Sequence, residues 1–180
     1  MSQPPTPARI GVVTASDRAS AGVYQDESGP AIEAYLRRVL TTPFFTLRRI
    51  IPDGFESVRD TLIDLADTEH CDLVLTTGGT GPSPRDLTPE ATLAAAPREF
   101  PGFGELMRQV SLRQVPTAIL SRQLAAQRGA CLIINLPGKP ASIAVCLDAV
   151  FPAVPYCLDL IGAARIETDP AVLASFRPKS

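Results

Sequence analysis

The run Asp72-Leu-Val-Leu-Thr-Thr77 carries three large apolar side chains in succession, with no polar alternation, and passes directly into Gly78-Gly-Thr-Gly81. A strand with one wet face alternates apolar and polar residues, so an unalternating run belongs where both faces are covered, inside a parallel sheet. A parallel neighbour cannot be reached by a tight hairpin; it needs a crossover of a dozen or more residues, usually a helix. The surrounding chain supplies that pattern. Arg9-Ile-Gly-Val-Val-Thr-Ala-Ser16 is a second such run, Phe44 to Ile51 a third broken by Arg48 and Arg49, and Cys131 to Leu136 a fourth. Between Ser16 and Phe44, the residues Ile32, Leu36, Val39 and Leu40 recur at helical spacing after Pro30; Val58, Leu62 and Leu65 do so after the turn Pro52-Asp-Gly54. The βαβαβ order calls for right-handed crossovers and helices on both faces. The expected fold is α/β, a Rossmann-like three-layer α/β/α sandwich with a mostly parallel sheet.

Thr88-Pro-Glu90 resembles a helix start, with a hydroxyl at the N-cap and proline at the first position, and a short helix is expected to about Ala96. Phe103, Met107 and Val110 place a helix over 102–114, Val115 to Arg122 reads as extended or loop, and Ile143, Leu147 and Val150 mark a helix after the break Pro137-Gly-Lys-Pro140. A last helix is expected over 155–161, followed by a polar tail from Glu167. The chain has 180 residues, within the roughly 100 to 200 of one domain. Residues 1–8 are expected to be a flexible N-terminus and 9–180 a single domain.

Seventeen Lys and Arg against nineteen Asp and Glu leave a net charge of −2, with no basic cluster longer than a pair, which argues against nucleic acid as a partner. No stretch reads as the roughly 18 apolar residues of a membrane span. The first eight residues also lack the basic and apolar regions of a signal peptide, so the expected location is the cytoplasm. The four cysteines are spread singly and His70 is the only histidine. Zinc, which wants four clustered nitrogen or sulfur ligands, is excluded, and each cysteine is expected as a reduced, buried thiol.

In an open parallel sheet, ligands sit beyond the carboxyl ends of the strands, where strand order reverses. Four loops qualify: Ser16-Asp17-Arg18, Pro52-Asp53-Gly54, the stretch from Thr77 through Gly78, Gly79, Thr80 and Gly81 to Asp86, and Pro137-Gly138-Lys139-Pro140. Glycines let backbone N–H groups approach a phosphate or flat ring without a Cβ in the way, and a following helix N-terminus favours anions. The loop is not a P-loop, because no lysine follows Gly81, and it departs from the dinucleotide fingerprint at Pro84. Asp53 and Asp86 follow different strands yet converge on one sheet edge, where two carboxylates suit Mg²⁺ held with waters against substrate phosphates. Asp53 could equally cap the next helix, and Asp86 could pair with Arg85. Asp17 and Arg18 suit a polar ring or a solvated loop. Lys139, stiffened between prolines, suits a phosphate, and Ser142 either that phosphate or a helix cap.

Three segments occurring in order, Ser16-Asp-Arg18, Thr76-Thr-Gly-Gly-Thr-Gly81 continued by Pro82-Ser-Pro-Arg-Asp-Leu-Thr-Pro-Glu90, and Asn135-Leu-Pro-Gly-Lys-Pro140, resemble the molybdopterin adenylyltransferase family of molybdenum cofactor biosynthesis, which includes the G domain of gephyrin. Pro101-Gly-Phe-Gly104 and Ile119-Leu-Ser-Arg-Gln123 are similar to the bacterial enzymes. The resemblance implies a nucleotidyltransferase that takes molybdopterin and Mg-ATP to adenylylated molybdopterin and pyrophosphate. It implies Asp53 and Asp86 as the two site acids, Gly78 to Gly81 as the binding loop, a homotrimer, and the molybdenum insertase as a partner. The alternative is a non-catalytic molybdopterin carrier or trimeric scaffold module.

Overall fold

The computed structural model describes residues 6–179. Most of the expected flexible N-terminus, residues 1–5, lies outside the described residues, and Ala8 already belongs to the first strand. Six strands, β1 (Ala8–Ala15), β2 (Phe44–Ile51), β3 (Leu73–Thr77), β4 (Arg98–Glu99), β5 (Ala125–Arg128) and β6 (Cys131–Leu136), form one sheet in the order β2-β1-β3-β6-β5-β4. The first four in that order are mutually parallel; β5 runs antiparallel to β6, and β4 antiparallel to β5. The helices are α1 (Asp17–Ser20), α2 (Ser28–Val39), α3 (Phe55–Ile63), α4 (Thr88–Ala95), α5 (Pro101–Leu112), α6 (Pro140–Val150) and α7 (Val154–Ile161).

Unalternating strands work because each face has its own core. Ile10, Val12, Leu73, Leu75, Leu132 and Ile134 point to one face, under α2, α5, α6 and α7, while Val13, Val74 and Ile133 point to the other, under α3 and α4. All nine are at most 1% exposed. Burying a side chain of this size stabilises by roughly 1.5–3 kcal/mol, so these strands are held from both sides. The expected α/β/α sandwich is the observed one.

Several local expectations change. β4 and β5 escape sequence reasoning, because Ala-Ala-Gln-Arg is short and lacks the β-branched residues that mark strands. β5 exists because the two-residue turn 129–130, with Gly129 at φ 54, folds it back on β6. The segment 115–122, expected as extended or loop, contains a 3₁₀ turn at Pro116–Leu120. Thr88 is the first residue of α4 and makes no capping bond. The turn after α3 continues as a π-helical stretch, Asp64–Thr68. The polar tail is packed: Leu173 is buried, Thr168 bridges to Leu40, and Arg177 joins Asp159 at 2.6 Å and Glu167 at 2.9 Å.

Contrary to the expectation from sequence, one apolar run reaches membrane length. Residues 140–161, α6 and α7 joined by a 3₁₀ turn, are long and apolar enough by length and composition to cross a bilayer. In the fold this run packs against the sheet through Ile143, Cys146, Leu147, Phe151, Val154 and Leu158, each at most 1% exposed. Its apolar character is that of a core helix pair.

Candidate active site at the sheet switch point

From β1 the chain first adds β2 on one side and then crosses to place β3 on the other, so strand order reverses between β1 and β3. A cavity of about 180 Å³ opens there, lined by Thr14, Ala15 and Ser16 of the β1 end, Asp53 after β2, Thr77 to Gly79 after β3, Asp86, and Gly138 after β6. Four expected loops therefore meet in one place.

The strand ends are tied by backbone and short side chains. Thr77 Oγ1 donates to the Pro137 carbonyl at 2.8 Å, and Ser28 Oγ donates to the Gly138 carbonyl at 2.9 Å. Gly78 sits at φ +93 with its missing β-carbon directed at the Ala15 carbonyl, so no side chain fits there. Below the loop, Asn135 in β6 donates to Thr76 at 3.1 Å and to Thr92 at 2.9 Å, locking α4 to the sheet.

The two acids flank the glycine loop. A β-carbon on Gly79 would stand 3.4 Å from Asp53 Oδ1, and one on Gly81 would stand 2.9 Å from Asp86 Oδ2. Asp53 does not cap α3, whose N-cap is Gly54; its Oδ2 accepts from the Asp17 N–H at 2.9 Å, and its own N–H donates to Asp17 Oδ1 at 3.1 Å. Burial raises the Asp53 carboxyl above the ordinary carboxylate range, helped by the nearby charges of Asp17 and Asp86 and opposed by the bond from Asp17 and by Arg85. Asp86 accepts from the Ser83 N–H at 3.1 Å and makes no pair with its neighbour. Arg85 reaches instead across the site to both oxygens of Asp17, at 2.6 and 2.9 Å, and to the Asp53 carbonyl at 2.7 Å. That pairing holds the Asp17 carboxyl below its usual range.

The remaining sequence candidates divide. Thr80, Gly81, Pro137, Lys139 and Ser142 line a second cavity of about 340 Å³ with Gln123, Val145 and residues around the 3₁₀ turn. Ser142 is the third residue of α6 and makes no cap, while Lys139 makes no ion pair among the described residues. Asp17 and Arg18 line neither cavity: Asp17 is committed to Arg85, and the Arg18 guanidinium lies 5.5 Å from the centre of the Tyr24 ring. Ser16 lines the first cavity while its Oγ accepts from the Ala19 N–H at 3.2 Å, capping α1. Sequence reasoning missed Ser28, the bridge made by Arg85, and Arg122, whose side chain touches the glycine loop; only the segment 119–123 hinted at the last.

A divalent cation is testable against this donor set. Among the described residues no three His, Cys, Asp or Glu side chains cluster as a metal cage. Two carboxylates on either side of a glycine loop, one raised by burial and like charge, are the donors that a hard cation takes when substrate phosphates and waters complete its shell. The residues present fit Mg²⁺.

Residues 11–156 match the family model described as a probable molybdopterin binding domain, and the chain belongs to that family. It is 54% identical over 184 aligned positions to the molybdopterin adenylyltransferase of Escherichia coli (strain K12), covering 96% of this chain and 94% of that protein. A crystal structure of the molybdopterin biosynthesis enzyme MoaB from Thermus thermophilus superposes with a TM-score of 0.79 at 43% identity, over 88% of this chain and 99% of that one. Gephyrin of Dictyostelium discoideum is 37% identical over 162 positions, which span 86% of this chain and 22% of that protein.

Proposed function

We propose that the chain is a molybdopterin adenylyltransferase of molybdenum cofactor biosynthesis, which transfers AMP from ATP to the terminal phosphate of molybdopterin and releases pyrophosphate. The observation that carries the chemistry is the convergence of Asp53 and Asp86, from separate strand ends, on the two sides of a glycine loop. A phosphate oxygen of molybdopterin attacks the α-phosphorus of ATP, the new P–O bond forms in line, and the α–β bridging bond breaks with its electron pair leaving on pyrophosphate. Such a transfer rests on positioning and charge neutralisation and needs no covalent protein nucleophile.

Asp53 and Asp86 would hold Mg²⁺, which would neutralise phosphate charge there. Backbone N–H groups of Gly78 to Gly81 approach the phosphates, where side chains would block them. Lys139 and Ser142, with Thr80 and Pro137, hold the substrate at the mouth of the larger cavity, Gly138 backs the smaller one, and Lys139 supplies a point charge to a phosphate. Ser16 and Thr77 act through the walls of the smaller cavity. Asp17 and Arg18, which the sequence suits to direct binding, act at one remove: Asp17 by orienting Asp53 and Arg85, and Arg18 by stacking on Tyr24.

Residues 9–180 work as one domain, in a homotrimer that passes its product to the molybdenum insertase. The reaction is cytoplasmic, a placement supported by the cysteines, all of which are free thiols and three of which are buried. The test is to incubate the purified protein anaerobically with Mg-ATP and molybdopterin, following pyrophosphate and adenylylated pterin together. Product that needs both substrates is expected. Tight pterin binding without pyrophosphate would overturn the catalytic reading in favour of a carrier.

A further inference from the structure

The loop that carries Asp86 has little to hold it. Pro82 to Arg85 are exposed, and apart from the Arg85 side chain's reach to Asp17 and Asp53 the loop's own bonds are short-range: the Asp86 N–H to the Ser83 carbonyl, the Leu87 N–H to the Arg85 carbonyl, and the Ser83 N–H to Asp86 Oδ2. Such a segment, without buried apolar anchors, opens locally at low cost. A phosphoryl-transfer site nevertheless needs its carboxylate held to within a fraction of an ångström.

Arg122 supplies the restraint on the flank that Arg85 does not reach. It follows the 3₁₀ turn and precedes β5, so its backbone is anchored to the sheet on one side. Its N–H donates to the Thr80 carbonyl at 2.9 Å. Its guanidinium then spreads over the loop: Nε donates to the Gly81 carbonyl at 3.1 Å, Nη2 to the Asp86 carbonyl, and Nη1 to the Glu90 carboxylate in the first turn of α4. One side chain therefore ties the start of the loop, the residue bearing the catalytic carboxylate, and the helix that ends it. Only a planar fork with donors on three nitrogens reaches three such points; a lysine ammonium presents all its donors from one atom. Arg85 does the same on the opposite flank, joining the loop to Asp17 and the Asp53 carbonyl.

We propose that Arg122 is a positioning residue for adenylyl transfer, acting through the backbone of Gly81 and Asp86 to set the Asp86 carboxylate, with Glu90 fixing the guanidinium from behind. The inference rests on the adenylyltransferase reading of the site. Arg122 lines neither cavity, and it meets the glycine loop only through the carbonyls of Thr80 and Gly81. Its loss therefore leaves ground-state binding of molybdopterin intact and lowers the chemical step.

The test compares Arg122→Met, Arg122→Lys and Glu90→Gln with the unaltered protein. Expected are a fall in kcat of about 10- to 100-fold for Arg122→Met, on the scale of a carboxylate displaced by about 1 Å, little rescue in Arg122→Lys, and a smaller fall in Glu90→Gln. The molybdopterin Kd stays within about threefold, and the Mg²⁺ concentration for half-maximal rate rises. In an Asp86→Asn background the Arg122→Met change costs nothing further, because the group it positions is gone. Amide hydrogen exchange at Asp86 and Leu87 speeds by about tenfold or more in Arg122→Met, a readout independent of turnover. Unchanged exchange, full rescue by lysine, a matching loss of molybdopterin affinity, or additive losses with Asp86→Asn would each overturn the assignment. Should the unaltered protein release no pyrophosphate, the functional reading fails and the exchange measurement alone decides whether Arg122 holds the loop.

Discussion

The two cavities at the carboxyl end of the sheet share the glycine loop and are built on different principles. The smaller, about 180 Å³, is walled by strand ends and by backbone: Ala15, Thr77, Gly78, Gly79 and Gly138, with Asp53 and Asp86 set into it. The larger, about 340 Å³, is walled by side chains of α5, α6 and the 3₁₀ turn, among them Ser111, Ala118, Leu120 and Val145. Backbone tied into a parallel sheet can place charge accurately and cannot be rearranged cheaply. Helix side chains can be exchanged without moving the frame. The small cavity is therefore where the proposed chemistry has its bonds change, and the large one where it has a ring recognised.

That contrast breaks first, if it is wrong, at Asp86. Asp86→Asn keeps an acceptor for the Ser83 N–H, so the thermal midpoint should stay within about 2 °C while turnover falls by about 10³-fold, as when a group that stabilises charge in the transition state is lost. Turnover within about tenfold of the unaltered protein would remove the small cavity from the chemistry. Next in size is Gly78→Ala. The added methyl meets the Ala15 carbonyl at a positive φ, and the expected cost is about 2–3 kcal/mol by denaturant unfolding. A neutral result would show that the strand ends give way, contrary to a rigid wall.

In the large cavity the same kind of intrusion should act differently. Val145→Phe fills space, and is expected to raise KM for one of the two substrates by about 10- to 100-fold with kcat at saturation preserved. Steady-state kinetics with each substrate varied in turn will show which ring occupies that side, and a loss of kcat at unchanged KM would contradict the division. The smallest effect is the change in stability at Asp53. Its pKa is raised in the fold, so the folded state holds that proton more tightly than the unfolded chain, and ionisation works against stability as pH climbs from the unfolded value to the folded one. Asp53→Asn should accordingly unfold at a slightly higher temperature than the unaltered protein at about pH 7, with the advantage vanishing at about pH 3.5, while losing activity. An equal midpoint at both pH values would mean that the acid cluster stores no electrostatic cost.

Legibility in the sequence followed the range of the interactions. Strands covered on both faces announce themselves, because Leu73, Val74 and Leu75 must all be apolar whatever lies around them. The βαβ order then places their carboxyl ends together, so the convergence of Asp53, Asp86 and Gly78 follows from spacing. β5 was not legible, since Ala125 and Ala126 become a strand only through pairing with Ile133 and Ile134. Nor was the partner of Arg85, which is 68 positions away at Asp17 rather than beside it at Asp86.

From the sequence alone came the alternation of buried strands and amphipathic helices and the loops at the carboxyl end of the sheet, with Asp53, Asp86, Gly78 to Gly81 and Lys139 among their residues, all of which follow from periodicity, turn chemistry and chain connectivity. Only the tertiary structure decided that those residues divide between two cavities, that Asp53 is braced by Asp17 instead of capping α3, and that Arg85 and Arg122 grip the loop from either side. A guanidinium at the end of a long side chain can reach many acceptors, and which ones it meets depends on how distant strands and helices pack.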